Sequence, residues 1–293
     1  MNDANTDQTA VVFGGKRGLL GQALVQTLQE QGWRVCALGR EDVDVDSQEA
    51  LTDLLSRLRP GAVFNTVAYT QVDAAETDVQ NARLLNQSFP CRLGRALPSP
   101  EIPVVHFSTD FVFGGDQRTP YTPLDTPRPG TVYGKTKLEG EKALLQLDLR
   151  RLFIVRTAWL FGPGKENFVS KMLKLAAEHS RLRVVHDQIG SPTYTLDLAA
   201  YTLHLLEKAP AGLYHIANSG RASWCELASE ALALYGSSCQ VEAITAAEYP
   251  QQAVRPAYSV LDNTAFSRAT GIKPRPWPQA LRDYIYLSVE CSG

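Results

Sequence analysis

Short apolar segments alternate with longer amphipathic segments through the first half of the chain. The apolar segments are rich in Val, Ile and Phe, as is typical of strands covered on both faces, and they lie at 10–14, 34–38, 62–67, 103–108 and 152–157. Between them Leu and Ala recur at three- and four-residue steps, which predicts helices at 19–31, 48–59, 76–97 and 132–149. Strands that alternate with helices in this way predict an α/β fold with a doubly wound parallel sheet.

The pattern is looser after residue 160. It predicts helices at 167–180, 195–208, 223–236 and 277–290, and short strands at 182–186, 213–217 and 240–244. Proline-rich breaks separate these pieces. We therefore expect a first domain at 1–160 and a smaller C-terminal region at 161–293 that binds the substrate and is interleaved with the first domain.

Composition excludes several classes of partner. The chain has 293 residues, 44% of them apolar, which is enough to form a sizeable core. Its net charge of −2 gives no electrostatic reason to bind nucleic acid or an anionic membrane. The five cysteines lack zinc-binding spacing, so we expect reduced thiols. Residues 1–9 do not resemble a signal peptide, and no apolar run is long enough to span a bilayer, so we predict a cytoplasmic protein.

A glycine-rich turn follows the first predicted strand. Gly15, Gly18 and Gly21 are spaced so that the chain can turn tightly, approach a pyrophosphate and pack a helix against the strand. The helix that begins near Leu20 then offers unpaired N–H groups to the phosphates. A purely structural turn is the alternative. In this context the turn predicts a Rossmann-like dinucleotide site formed by Gly15, Lys16, Arg17, Gly18, Leu19, Leu20 and Gly21.

The end of the second strand bears on the choice of cofactor. It reads Leu38-Gly39-Arg40, without the carboxylate that usually binds the ribose 2′-hydroxyl of NAD. Arg40, together with Lys16 and Arg17, could bind a 2′-phosphate, for which guanidinium is a good geometric match. We therefore predict NADPH, with NADH as the open alternative. These three cations would otherwise be ordinary solvated surface charges.

Tyr133 and Lys137 are one helical turn apart, so they can face the same cleft. The phenol could donate its proton to a carbonyl oxygen as that oxygen receives hydride. An ammonium roughly 4 Å away, at an effective dielectric constant of about 20, would be worth about 4 kcal/mol. This would lower the pKa of the phenol by about three units. The spacing also occurs by chance, and a core tyrosine with a solvated lysine is the alternative.

Hydroxyl residues end the fourth predicted strand. Ser108 and Thr109 lie at the carboxyl edge of the sheet, where open parallel sheets bind ligands. A hydroxyl group there can hydrogen-bond the reacting carbonyl and stabilise the developing negative charge on its oxygen. The alternative is that both hydroxyls are structural and hydrogen-bond the backbone at the end of the strand or in the turn.

Several segments together resemble the dTDP-4-dehydrorhamnose reductase family, which are extended short-chain dehydrogenases. They lie in the family's order at 13–21, 63–76, 106–115, 120–145, 154–162, 167–173, 184–199 and 254–262. The resemblance implies a cytoplasmic oxidoreductase of nucleotide-sugar and polysaccharide-precursor biosynthesis. Such an enzyme reduces the 4-keto group of dTDP-4-dehydro-L-rhamnose with NADPH and forms dTDP-L-rhamnose.

The resemblance also implies residue roles. Tyr133 would be the acid, Lys137 would hold the nicotinamide ribose, and Thr109 would bind the reacting oxygen. Ala68 and Tyr69 would line the cofactor cleft. The expected substrate-binding residues are Ser108, Thr109, Asp110, Trp159, Gln188, Thr193 and Arg255. Among these Arg255 suits the substrate diphosphate. For Gln188 and Thr193 a turn with local hydrogen bonds is an equal alternative.

Departures from the family's pattern and rival functions both limit what the resemblance implies. Gln22 and Ala23 stand where some members carry an acid associated with magnesium, so we predict no metal site. Phe111 stands where dehydratases of this scaffold carry an additional acid, which disfavours a dehydratase. A reductase of another dTDP-4-keto-6-deoxy sugar remains open. So does a non-catalytic NADP-binding subunit similar to the regulatory beta subunit of methionine adenosyltransferase. A monomer and a homodimer are both open.

Overall fold

A computed structural model describes residues 9–290 of the chain. Cys291 and all but the last of residues 1–9, on which the signal-peptide prediction rests, lie outside that range. Over the described residues no helix is both long enough and apolar enough to cross a membrane.

The strands, in chain order, are β1 (Thr9–Phe13), β2 (Arg34–Leu38), β3 (Ala62–Asn65), β4 (Val104–Thr109), β5 (Leu152–Thr157), β6 (Leu160–Phe161), β7 (Arg181–Val185), β8 (Ile189–Gly190), β9 (Thr193–Tyr194), β10 (Gly212–His215), β11 (Ala222–Ser223) and β12 (Gln240–Ile244). The α-helices are α1 (Leu19–Glu30), α2 (Gln48–Leu58), α3 (Val72–Ala75), α4 (Val79–Arg83), α5 (Phe89–Arg95), α6 (Val132–Leu145), α7 (Phe168–Glu178), α8 (Thr195–Lys208), α9 (Trp224–Tyr235), α10 (Thr264–Thr270) and α11 (Trp277–Glu290).

The main sheet confirms the predicted α/β fold. Its six strands are parallel and run in the order β2-β1-β3-β4-β5-β10. Val11 of β1 pairs with Cys36 on one side and with Val63 on the other, so β1 is central. The strand order changes direction beside β1, and a crevice for a ligand forms at such a point of an open parallel sheet.

Helices cover both faces of this sheet, which explains the continuous apolar runs of its strands. The core on one face contains Leu24 and Leu28 of α1 together with Leu198 of α8. The core on the other face contains Leu51 of α2 and Leu144 of α6. Since β1 is apolar on both faces, burial on both sides stabilises it.

The C-terminal region has a core of its own and also contributes to the main sheet. Leu227 of α9 and Ile285 of α11 belong to a separate apolar cluster, and β7 pairs with β12 outside the main sheet. β10, however, pairs with β5 and completes the main sheet. The division at residue 160 therefore stays a prediction.

The predicted helix at 76–97 is wrong as one continuous element. The structure has α3, α4, a π-helical turn at Leu84–Ser88 and α5 in its place. At the π turn Asn86 is fully buried and its amide binds the backbone of Tyr69 and the hydroxyl of Thr136. Helical periodicity does not reveal such a tertiary contact. The prediction also missed α10, β6, β8, β9 and β11, since two-residue strands have no periodicity.

Candidate active site

The glycine turn lies in the crevice at the carboxyl end of β1. Its backbone is tight, because the Gly18 N–H donates to the Gly14 carbonyl at 2.9 Å. A Cβ atom at Gly18 would lie 2.6 Å from that carbonyl oxygen, and one at Gly21 would lie closer still. α1 begins at Leu19, and the residue before it provides no side-chain cap, which leaves the first N–H groups to a ligand. The turn therefore suits a pyrophosphate.

Two carboxylates meet the cations that were predicted to bind a 2′-phosphate. The Lys16 Nζ donates to the Asp42 carboxylate at 2.6 Å, and the Arg17 guanidinium lies 3.8 Å from Glu41. The same Asp42 carboxylate accepts the Gly39 N–H at 2.6 Å, so a carboxylate does lie at the end of β2. Its hydrogen bond raises the pKa of Lys16. Arg40 is exposed. Asp42 lies two residues beyond Arg40, where the sequence indicates a helix cap or a contact with adenine for it and gives no sign of its pairing with Lys16.

Tyr133 lies in the first turn of α6, directly beside the carboxyl end of β4. Thr131 caps the helix by accepting the Gly134 N–H at 3.0 Å, and Glu76 accepts the Val132 N–H at 2.9 Å. Because Gly134 has no side chain, it sits against the carbonyl of Phe111, where a Cβ atom would overlap the oxygen. These contacts hold the start of α6 against the segment that follows Thr109.

The pKa of Tyr133 is raised to about 12, mainly by burial and further by the Asp110 carboxylate. A hydrogen bond between the phenol and the Thr109 hydroxyl lowers the pKa of Tyr133 in part. The phenol ring packs edge-on against Phe111, with 5.6 Å between ring centroids. At neutral pH the chain's own groups therefore keep Tyr133 protonated and in contact with Thr109.

Lys137 is not directed at the phenol as the sequence argument expected. Its side chain is 1% exposed, and its Nζ donates to the Phe107 carbonyl at 2.6 Å. Burial lowers the pKa of Lys137 to about 8, against the opposing effect of Glu141. Lys137 is not among the groups that shift the pKa of Tyr133. The expected lowering of the phenol's pKa is therefore not met, because the backbone of β4 takes the amine.

Asp110 joins the carboxyl end of β4 to the C-terminal region. It is 2% exposed, accepts the Thr109 hydroxyl at 3.0 Å and accepts the Ser259 hydroxyl at 2.5 Å. Burial raises its pKa to about 6, although these hydrogen bonds oppose the shift. Thr109, Asp110 and Tyr133 thus form one cluster.

Ser108 does not belong to this cluster. Successive strand residues point to opposite faces, so its side chain is directed away from that of Thr109. Its hydroxyl donates to the Glu141 carboxylate at 2.5 Å. The same carboxylate binds the Arg156 guanidinium through two hydrogen bonds of 2.9 and 2.6 Å. The structure does not support the prediction that Ser108 binds substrate, because its hydroxyl is engaged in the core.

Ala68 and Tyr69 lie just beyond β3, at the same edge of the sheet as the glycine turn. Both are half-buried. The Tyr69 N–H donates to Asn86 at 2.8 Å and its hydroxyl donates to Asp78 at 3.1 Å. This location agrees with the predicted lining of a cofactor cleft.

Trp159 adopts a left-handed backbone conformation, with φ of 47°. Its ring stacks on Trp224 with centroids 3.5 Å apart and lies directly over Gly190, where any Cβ atom would overlap it. Such strain in a non-glycine residue is more typical of functional sites than of ordinary loops.

Two of the remaining substrate-side residues, Thr193 and Arg255, are engaged by other groups of the chain. Thr193 is fully buried, and its hydroxyl donates to the Ser191 carbonyl at 3.1 Å, which is the turn alternative. Gln188 is 5% exposed. Arg255 binds the Asp73 carboxylate through two hydrogen bonds, at 2.5 and 3.2 Å. The predicted diphosphate partner is therefore already paired with an acid of α3.

Four polar residues near the site were not predicted from the sequence: Asn65, Asp73, Glu76 and His106. Asn65 and His106 carried a detectable signal, since each interrupts an otherwise apolar buried strand. The two acids lie in a polar segment and had no such signal.

Sequence comparison agrees with this architecture. The RmlD substrate binding domain family matches residues 9–289. The spore coat polysaccharide biosynthesis protein SpsK of Bacillus subtilis is 40% identical over 94% of this chain and 97% of its own length. The dTDP-4-dehydrorhamnose reductase of Streptomyces griseus is 39% identical over 92% of this chain and 90% of its own length. A probable dTDP-4,6-dihydroxy-2-methyloxan-3-one 4-ketoreductase of Streptomyces antibioticus is 41% identical over 92% of each chain.

A solved structure shows the same fold. The crystal structure of dTDP-4-dehydrorhamnose reductase from Bacillus anthracis in complex with NADP superposes with a TM-score of 0.91. The two chains are 29% identical, and the match covers 96% of this chain and 99% of that one. With the glycine turn and the cluster at β4 in place, the chain is an oxidoreductase that belongs to the dTDP-4-dehydrorhamnose reductase family.

Proposed function

We propose that this protein reduces the 4-keto group of dTDP-4-dehydro-L-rhamnose with NADPH and forms dTDP-L-rhamnose. One observation carries the proposal: a protonated tyrosine and a threonine hydroxyl meet at the carboxyl edge of the sheet, close to a glycine turn that suits a dinucleotide. The relative from Streptomyces griseus named for this reaction supports it.

In this proposal Tyr133 is the acid. Bound NADPH supplies the hydride to C4 of the sugar. The Tyr133 hydroxyl donates its proton to the carbonyl oxygen, and the Thr109 hydroxyl turns from Asp110 to donate a hydrogen bond to the same oxygen. A phenol with a pKa of about 12 is protonated at neutral pH, as reduction requires, whereas the reverse oxidation needs a phenolate. The protein's own groups therefore favour the reducing direction.

The dinucleotide would lie on the glycine turn at 15–21, along Ala68 and Tyr69, with its ribose near Lys137. The NADP complex of the Bacillus anthracis relative supports NADPH. Since Asp42 and Glu41 partly neutralise Lys16 and Arg17, the proposed preference depends chiefly on Arg40. Comparison of kcat/KM for NADPH and NADH tests it, and a clear preference for NADH would contradict the role of Arg40.

A second function is reduction of another dTDP-4-keto-6-deoxy sugar. The relative from Streptomyces antibioticus is as similar to this chain as the dehydrorhamnose reductase, yet its name gives a different substrate. Trp159 and Arg255 would contact the nucleotide part that all such substrates share, so they do not discriminate between sugars.

The decisive experiment supplies the purified chain with NADPH and dTDP-4-dehydro-L-rhamnose and follows the loss of NADPH absorbance. The sugar formed is then identified by NMR. Rapid formation of dTDP-L-rhamnose supports the proposal, and faster turnover of another dTDP-4-keto sugar favours the second function. Binding of NADP without turnover of any such sugar would point to the regulatory-subunit alternative.

The remaining sequence predictions fit this proposal. The dinucleotide would be held mainly by residues 1–160 and the nucleotide sugar mainly by 161–293, with β10 as the point of interleaving. We propose a cytoplasmic location, and either a monomer or a homodimer would accommodate the site.

A further inference from the structure

A buried row of three polar side chains lies beneath the proposed active site. Asn65 ends β3, His106 lies in β4 and Lys137 lies in α6, and their exposures are 1%, 0% and 1%. The Asn65 Nδ2 lies 3.1 Å from the His106 Nδ1, and the His106 Nε2 lies 3.5 Å from the Lys137 Nζ. Buried polar groups of this kind are strongly coupled, because the surrounding dielectric constant is low.

The Asn65 amide determines which ring nitrogen of His106 carries the proton. Its Oδ1 accepts the Val67 N–H at 3.1 Å, so its Nδ2 is the end that faces the ring. A donor at this place requires an unprotonated Nδ1, and a neutral imidazole then has its proton on Nε2. Burial and the nearby Lys137 hold the pKa of His106 well below its ordinary value, so the ring is neutral.

The Nε2–H group therefore faces the Lys137 amine. One N–H of that amine is engaged with the Phe107 carbonyl at 2.6 Å. An uncharged amine has a lone pair that can accept the Nε2–H, whereas an ammonium has three N–H groups and no acceptor. The charged form would consequently set two donors against each other.

We propose that Asn65 and His106 are positioning residues, which hold a ring N–H against the Lys137 amine and so favour its uncharged form. The inference deepens the proposed function, since it rests on the role given there to Lys137. It makes the charge of Lys137 sensitive to its surroundings: with a pKa of about 8 the amine titrates close to neutral pH, and an anionic group that approaches it favours the charged form.

The other charged groups around α6 are nearly all paired elsewhere. Glu141 of α6 favours the ammonium, but it is itself bound by Arg156 of β5 and Ser108 of β4. Three acids near α6 have partners of their own: Glu76, just after α3, accepts the Val132 N–H, Asp73 of α3 binds Arg255, and Asp110 binds Ser259. Of the arginines on α4 and α5, Arg83 lies near Glu139, Arg92 pairs with Asp46 and Arg95 is exposed. Tyr133, on the same helix, is protonated.

The test measures the titration of Lys137 directly. Chain labelled with [¹³C]lysine is titrated, the Cε resonances are followed by NMR, and Lys137→Met identifies the resonance of Lys137. Asn65→Asp places a carboxylate against Nδ1, which draws the ring proton to that nitrogen and turns the Nε2 lone pair toward Lys137. We expect the Lys137 midpoint to rise by on the order of one pH unit, which is tenfold in the protonation equilibrium.

The control is the same substitution made in a His106→Phe background, where only the added negative charge acts. There we expect less than half of the rise. His106→Leu serves as a second background, because an aliphatic side chain has no donor or acceptor to pass the effect on, and it keeps the test valid if His106→Phe does not fold.

Equal rises with and without His106 would overturn the inference. So would a midpoint of the unmodified chain that coincides with those of the exposed lysines. No turnover is needed for this measurement. A chain that shows the histidine-dependent rise but reduces no dTDP-4-keto sugar would therefore refute the proposed function and leave this inference standing.

Discussion

Tyr133 and Asp110 are close in space, and the charge of Asp110 affects the proton affinity of Tyr133. The Asp110 carboxylate raises the pKa of Tyr133, while burial raises the pKa of Asp110 to about 6. At the residue scale the chemistry of the site therefore depends on one phenol that stays protonated and one carboxylate that titrates close to neutral pH.

Replacement of Tyr133 by Phe should remove the proton donor and little else. We expect kcat to fall by about 10²–10⁴-fold, the usual contribution of a positioned acid, while NADPH affinity is unchanged. Steady-state kinetics and fluorescence titration with NADPH measure the two quantities. Tyr249→Phe, at an exposed position, is the matched control. Near-normal turnover of Tyr133→Phe would remove this residue from the acid role.

The titration of Asp110 should appear in the pH profile. Below about pH 6 its carboxyl is neutral and no longer raises the pKa of Tyr133, so the phenol is the stronger acid there. We expect kcat/KM to decline as pH rises through about 6. Asp110→Asn should abolish this inflection and keep the higher level, and an unchanged inflection would assign it to another group.

Helical spacing alone predicted that the Lys137 amine faces the Tyr133 phenol. The amine instead contacts the carbonyl of Phe107 and the side chain of His106. The i and i+4 positions of a helix do share a face, so α6 presents Tyr133 and Lys137 to the same side. Which atom the amine contacts depends, however, on β4, whose backbone carbonyl lies within 2.6 Å. The sequence predicted the face of the helix but not the partner.

At the scale of elements, α6 is held to the sheet by a buried ion pair. Glu141 and Arg156 are 1% and 3% exposed and share two hydrogen bonds, and Ser108 of β4 adds a third bond to the same carboxylate. This contact ties the helix that carries Tyr133 and Lys137 to β4 and β5 together. The orientation of the site therefore depends on it.

Glu141→Gln should destabilise the fold strongly, because it leaves the buried Arg156 charge without a counterion. We expect a loss of about 3–5 kcal/mol in the free energy of unfolding. The matched control is Glu101→Gln, which breaks the exposed pair with Arg150 and should cost about 0–1 kcal/mol. Urea unfolding measures both, and equal effects would show that burial of the pair is unimportant.

The segment between β3 and β4 shows where element prediction fails. A continuous helix was expected at 76–97, but the buried Asn86 amide binds both the loop at Tyr69 and the hydroxyl of Thr136. The close approach of Gly140 to the Asn86 carbonyl adds to this contact. These partners are distant in sequence, so local periodicity carries no information about them.

At the scale of the whole molecule, two contacts join the sheet edge to the C-terminal loop at 251–259. Asp73 of α3 binds Arg255 and also accepts the backbone N–H groups of Gln252 and Ala253. Asp110 accepts the Ser259 hydroxyl. The two parts of the chain that the proposal assigns to cofactor and nucleotide sugar are thereby held together around the site.

Arg255→Gln should weaken binding of the nucleotide sugar and leave NADPH affinity unchanged. A charge-assisted hydrogen bond is worth about 1.5–3 kcal/mol, so we expect KM to rise about ten- to hundredfold. Arg183→Gln is the control, since that guanidinium is exposed and pairs with Glu248. An unchanged KM would show that Arg255 serves only to hold Asp73 and the loop.

The amino-acid sequence by itself determined the parallel sheet, the glycine turn and the spacing of Tyr133 and Lys137, because each of these follows from local periodicity or from short-range backbone geometry. Only the tertiary structure decided which groups surround those residues. Asp42 beside Lys16, Glu141 against Ser108, His106 under Lys137 and Asp73 on Arg255 are all contacts between distant segments. Burial and charge act through such contacts, and so the proton affinities of the site are a property of the folded chain.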